Sequence, residues 1–284
     1  MIRVREEQPL SVCSAEVFFG EGRSNVFRGF TTDEWKPFWI IPVGIPPDMR
    51  LGRLTIGIIS KTAGNSGPVY EKAETVSLDI VERKFYNEDI RLNSGLTSLR
   101  TDDAERKWKE TRKLSEILMR WEKESLFEMG KFLEPVDSYR ISSRFGDRRT
   151  YLYSDGTSAP AIHTGIDFAA PTGTPVKASG SGRVVLAADR MLTGITVVIE
   201  HLPGIYSLYY HLDSLECREG EEITRGQRIG TVGMTGLATG PHLHWEVRVS
   251  GIPVDPFFLV KGQLLDKELI KGDSGDENTK EGGD

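Results

Sequence analysis

The chain has 284 residues, enough for two domains that each bury a core, with 38% hydrophobic and 27% charged residues. Its formal net charge of −6 is the wrong sign for a nucleic-acid-binding face, and no apolar run is long enough to span a bilayer. Cys13 and Cys217 stand far apart, forming neither a disulfide framework nor a CxxC metal knuckle, so each reads as a small buried hydrophobe.

The opening MIRVREEQPL carries charge but no apolar stretch of signal-peptide type after it, which fits a cytoplasmic protein or a chain that begins after a removed leader. Residues 1–100 are expected to form an N-terminal β domain of sandwich type. LSVCSAEVFF, FWIIPV, RLTIGIIS and ETVSLDIV are short, β-branched and partly alternating, with turn clusters between them. Leu54, Ile56 and Ile58 share one face, as do Val76, Leu78 and Ile80. No polar residues there form a catalytic pattern, so the region reads as a structural or targeting module.

Residues 101–134 are expected to be a linker helix. Leu114, Ile117, Leu118 and Trp121 follow the i, i+3, i+4, i+7 pattern of one apolar face within 102–129. Asp102 and Glu105 have capping-box spacing, and Gly130 suits the end of the helix. Residues 135–261 return to β structure, with glycines at nearly every turn and all five histidines of the chain. The acidic, Gly-rich tail at 262–284 buries too little to fold and is expected to be disordered.

The chemistry lies in the third region. TGPHLHWEVRV (239–249) reads as a strand with His242, His244 and Glu246 on one face and Leu243, Trp245 and Val247 on the other. Its i and i+2 positions stand about 6.6 Å apart. In AIHTGIDFAAPTGTPVKA, His163 precedes Asp167 by four residues. On a straight strand these would be about 13 Å apart, but Gly165 permits a bend between them. In GIYSLYYHLDSL, alternation puts His211 with Ile205, Ser207 and Tyr209, opposite Leu208, Tyr210 and Leu212. Three segments carrying His/Asp, His and His-x-His can thus converge on one surface. A catalytic zinc takes three protein ligands and leaves a position for water, so the two surplus groups are free to move protons or stabilise an oxyanion. There is no HExxH helix. His201, before a Pro-Gly turn, fits no part of the pattern and reads as a surface residue. Trp245 reads as core, and Glu246 as either solvated or salt-bridged. The glycines of GMTGLATG read as turn residues rather than a phosphate loop, because no helix follows them.

HTGIDF, YYHLDS and TGPHLHWEV, in that order, resemble the M23 (lysostaphin-like, LytM-type) family of zinc metallopeptidases, from ISSRFGDRR at 141 to GIPVDPFFL ending at 259. The resemblance implies a C-terminal antiparallel β-sheet peptidase domain with a groove. It also implies one zinc per chain held by His163, Asp167 and His244, with His211 and His242 as the catalytic pair. The implied substrate is the peptide cross-link of bacterial peptidoglycan, which places the protein in the periplasm or outside the cell, with no nucleic-acid partner. A second reading is a non-catalytic member of the same fold that binds cell wall or activates a wall hydrolase. Such members betray themselves by lost ligands, and this chain has lost none. The N-terminal region is expected to modulate access to the groove rather than to supply chemistry, and the sequence points to no particular protein partner for it.

Overall fold

The computed structural model describes residues 1–5, 10–18, 24–32, 38–62, 71–102, 104–262 and 264–265. Most of the acidic tail therefore lies outside the described residues. The chain is mainly β, in several antiparallel sheets.

The N-terminal strands are β1 (Ile2–Arg5), β2 (Leu10–Phe18), β3 (Ser24–Arg28), β4 (Phe38–Ile41), β5 (Gly52–Thr62) and β6 (Glu71–Ile80). One antiparallel sheet runs β3-β2-β5-β6, and β1 pairs with β4. Leu54, Ile56 and Ile58 are buried as their alternation predicts. Their registered partners across the ladder, Leu78 and Val76, are not: they remain 41% and 36% exposed. The reason is position, since β6 forms the sheet edge and one flank of an edge strand faces solvent. Cys13 is buried and Cys217 half-buried.

The expected single helix is two. A strand β7 (Asn87–Arg91) leads into α1 (Ser94–Thr101), whose N-terminus is capped by the Asn93 side chain accepting from the Leu96 amide at 2.9 Å. Asp102 ends α1 instead of capping α2 (Glu105–Leu118), which starts after Ala104 with no side-chain cap. Nor does α2 reach Gly130. Beyond Met119 the amides of Phe127 and Glu128 donate to the His201 carbonyl, and that of Leu133 to Ser179. Trp121, Leu126 and Met129 pack into the core from this irregular stretch. Hydrogen bonds to the sheet thus replace the helical ladder after residue 118, overriding propensity. The predicted apolar face does form: Ile117 and Leu118 pack with Leu186, Val198, Tyr206, Leu208 and Tyr210, with Leu114 alongside. The helix covers part of the sheet rather than merely connecting regions.

The remaining elements are β8 (Arg140–Ser143), β9 (Arg148–Leu152), β10 (Ser158–Ile162), β11 (Ile166–Ala169), β12 (Pro175–Lys177), β13 (Gly182–Arg190), β14 (Gly194–Leu202), β15 (Ile205–Leu215), β16 (Glu222–Ile223), β17 (Arg228–Val232), β18 (His242–Val249), β19 (Ile252–Val254) and α3 (Phe257–Lys261). A large antiparallel sheet has the order β16-β13-β14-β15-β18-β11-β8, with β12, β17 and β19 at its flanks. Along β18 the even and odd residues part company. Leu243, Trp245 and Val247 enter the core with Val197, Ile199 and Tyr209, while His242, His244, Glu246 and Arg248 take the other face. A separate three-stranded sheet has the order β10-β9-β7, in which β7 runs parallel to β9.

Candidate metal centre

Register brings the polar face together. His244 lies opposite Asp167 on one side and Tyr210 on the other, while His242 lies opposite Ala169. His163 stands in the bend between β10 and β11, two residues before Gly165. A Cβ at Gly165 would sit 2.4 Å from the Trp245 carbonyl oxygen and 2.9 Å from His244 Nε2, so only glycine allows this approach.

The result is a triad of donor atoms. His163 Nε2 is 3.1 Å from Asp167 Oδ1 and 2.9 Å from His244 Nδ1, and His244 Nδ1 is 2.7 Å from Asp167 Oδ1. All three residues are buried. Two imidazole nitrogens and a carboxylate oxygen aimed at one point are the donor set of an open zinc site. Burial moves His163 below the usual imidazole range, with Asp167 opposing. Burial alone would raise the Asp167 carboxyl, yet His163 and His244 hold it well below the usual carboxylate range. For His244, burial is outweighed by Asp167 and then Glu246, which push it up to about 9.

Both histidine candidates are anchored from behind. His163 Nδ1 donates to the Arg144 carbonyl at 2.8 Å, and His244 Nε2 lies 2.9 Å from Glu246 Oε1. Glu246 also accepts from Thr164 at 2.5 Å and from Arg248 Nε at 2.6 Å. Of its two readings, solvated or salt-bridged, the buried salt bridge is the one found. Desolvation works against its charge, but Arg248 and His244 bring its pKa down to about 2. The Tyr210 ring stacks on His244 at 5.3 Å and 7°.

His211 reaches the site by a different route from the one alternation predicts. Tyr210, not Tyr209, faces the groove, and Tyr209 is buried in the core. A regular strand would then point His211 away. Instead its φ is +61°, a left-handed conformation uncommon outside glycine, and the ladder shifts register around it. Its amide donates to the Thr193 carbonyl at 2.8 Å and its Nδ1 to the Thr235 carbonyl at 2.7 Å. His242 Nδ1 likewise donates to the Gly240 carbonyl at 2.8 Å. Both rings therefore keep Nε2 as the free nitrogen, and their centroids lie 4.8 Å apart. His242 Nε2 is 3.8 Å from Asp167 Oδ1, outside the triad. Burial, then His242 and His244, push His211 down to about 3.

His201 is not a surface residue. It is fully buried, with Nδ1 donating to the Ser181 carbonyl and Nε2 accepting from Ser207, both at 2.7 Å. The groove over the triad holds about 560 Å³, and Glu88, Leu92, Arg100 and Arg140 are among the residues that line it. Sequence reasoning missed Glu88, Arg149 and Tyr210 at this site, because no local pattern marks them.

Residues 161–256 match the sequence profile of Peptidase family M23. The peptidoglycan DD-endopeptidase ShyA of Vibrio cholerae is 47% identical over 122 residues, 43% of this chain and 28% of that protein. The DD-carboxypeptidase/endopeptidase Mpg of Neisseria meningitidis is 44% identical over 149 residues, 52% of this chain and 33% of that protein. The matched stretch thus spans about a third or less of these relatives. A crystal structure from Pseudomonas aeruginosa, described as that of a candidate M23 peptidase, shares 26% identity and a TM-score of 0.63 over 92% of both chains. That likeness includes the N-terminal strands as well as the groove.

Proposed function

We propose that this chain, which carries an M23 peptidase domain, is a zinc-dependent endopeptidase that hydrolyses peptide cross-links of bacterial peptidoglycan. The observation that carries the reading is a buried His-Asp-His triad with two further histidines beside it, each presenting a free Nε2 to the same groove. The similarity to proteins named as peptidoglycan endopeptidases supports the substrate class. Because such a substrate lies outside the cytoplasm, the reading places the protein in the periplasm or beyond.

His163, Asp167 and His244 would hold one zinc ion. When bound, zinc supplies Lewis acidity and an acidified water. The protein's own contribution is proton traffic at Nε2 of His211 and His242. Main-chain carbonyls fix Nδ1–H in both rings, so each takes up a proton at Nε2, facing the groove. One histidine removes the proton of the attacking water and delivers it to the leaving amine. The other, protonated, donates to the developing oxyanion. Thr193, in the turn between β13 and β14, and Thr235, in the loop between β17 and β18, hold His211 in place through their main-chain carbonyls.

The test separates ligands from acid–base groups. His244→Ala is expected to lose both metal and activity. His242→Ala and His211→Ala are expected to keep the metal but lose roughly 10²- to 10⁴-fold in turnover. Elemental analysis of each purified variant is paired with mass analysis of fragments released from sacculi of known chemistry. A metal-loaded wild type that releases nothing would favour a non-catalytic wall-binding role. Metal lost from His242→Ala but kept by His244→Ala would reverse the assignments.

A further inference from the structure

We propose that Glu88, on a strand outside the segment that matches the family, is a positioning residue of the metal centre. The inference rests on His163, Asp167 and His244 being the ligands.

Parallel pairing of β7 with β9 sets Glu88 in register with Arg149. Glu88 Oε1 accepts from Arg149 Nε, and Arg149 Nη2 donates to Asp167 Oδ2 at 2.5 Å. One guanidinium fork thus bridges two carboxylates, leaving Asp167 Oδ1 turned towards His163 and His244. A second arm runs from the same oxygen. Ser143 Oγ donates to Glu88 Oε1 at 2.9 Å and stands 3.2 Å from His163 Nδ1. Glu88 therefore touches two of the three ligand candidates at one remove. Glu246 performs the corresponding task for the third.

Charge explains why a carboxylate is needed there. Arg149 is largely buried, with 13% side-chain exposure, and contacts a ligand carboxylate directly. A guanidinium so placed repels a divalent cation at the triad and competes for Asp167. Glu88 neutralises that charge while holding the fork in the plane that presents Oδ1. Ligand-orienting partners of this kind are typically worth about 10- to 100-fold in metal affinity.

The experiment measures zinc dissociation constants of the full chain by competition with a chromophoric chelator, with melting temperature as the folding control. Glu88→Gln keeps the size and one acceptor but removes the charge, and is expected to weaken zinc binding by about 10- to 100-fold. In an Arg149→Gln background the same substitution should matter far less, because the charge it compensates is gone. Affinity within twofold of wild type in a folded Glu88→Gln protein would overturn the proposal, as would an equal effect in both backgrounds. If Glu88→Gln does not fold, Arg149→Lys decides: it keeps the charge but cannot bridge two carboxylates, and must weaken zinc binding at least severalfold. Unchanged affinity there overturns the proposal by itself. A wild-type chain that binds no zinc would remove the ligand assignment underneath, whereas tight wild-type binding with unaffected variants would remove only the role of Glu88.

Discussion

His211 sits in a conformation that costs a non-glycine residue about 1–3 kcal/mol. Its Nδ1 bond to Thr235 returns about 0.5–1.5 kcal/mol, which leaves the fold little better off for having histidine there. His211→Gly should therefore leave the melting temperature within a few degrees of wild type while turnover falls by roughly 10²- to 10⁴-fold. Calorimetry and peptide cleavage on one preparation test this, and a large loss of stability would show that the ring holds the loops together. The same residue marks a limit of sequence reading. The His-x3-Asp and His-x-His spacings point to the residues that the fold gathers. Alternation, however, assumes a regular strand, and a positive φ leaves no periodic trace. Glu88 and Arg149 were illegible for another reason, since their meeting depends on a pairing of positions 61 residues apart.

Within the paired strands β14 and β15, His201, Ser207 and Tyr209 form a closed polar chain in the core. Ser207 Oγ lies 2.9 Å from the Tyr209 hydroxyl, which accepts from the Ser179 amide at 2.8 Å. Burial pushes His201 down to about 4 from its ordinary 6.5. An unfolded chain takes up a proton there below pH 6.5, while the folded chain resists until about pH 4. The contribution is thus complete above pH 6.5 and lost as pH falls towards 4, amounting to about 3 kcal/mol. Denaturant titrations of metal-free protein across that window should show stability falling with acid. His201→Gln should flatten the slope by that amount, and an unchanged slope would mean that other groups carry it. Helix boundaries were the least legible elements. The apolar face of α2 is written in its period, but its end is dictated by the His201 carbonyl, which recruits Phe127 and Glu128 from far along the chain. Asn93 before Ser-Gly-Leu is a readable cap for α1 that the β reading of the region obscured.

Across the whole molecule, one apolar cluster runs from Phe27 and Ile41 of the N-terminal strands to Phe168, Trp245 and Leu264. Gly44 lies on this contact, where a Cβ would come within 2.8 Å of Ile252 Cβ and 3.2 Å of the Val249 carbonyl. Gly44→Val should destabilise the protein by about 1–3 kcal/mol and split a single unfolding transition into two, as read by calorimetry. A single unshifted transition would mean that the contact yields freely. The fold class was legible because short alternating strands and glycine turns are local signals. The insertion of β7 beside β9 was not, because parallel pairing is specified by partners rather than by the strand itself. The triad's long reach also gives the site a history during synthesis. His163 and Asp167 leave the ribosome ahead of His244 by 81 and 77 residues. At about 5–20 residues per second, His244 follows Asp167 by roughly 4–15 s, so the triad closes only after the strands that lie between its first two members and its last have been made.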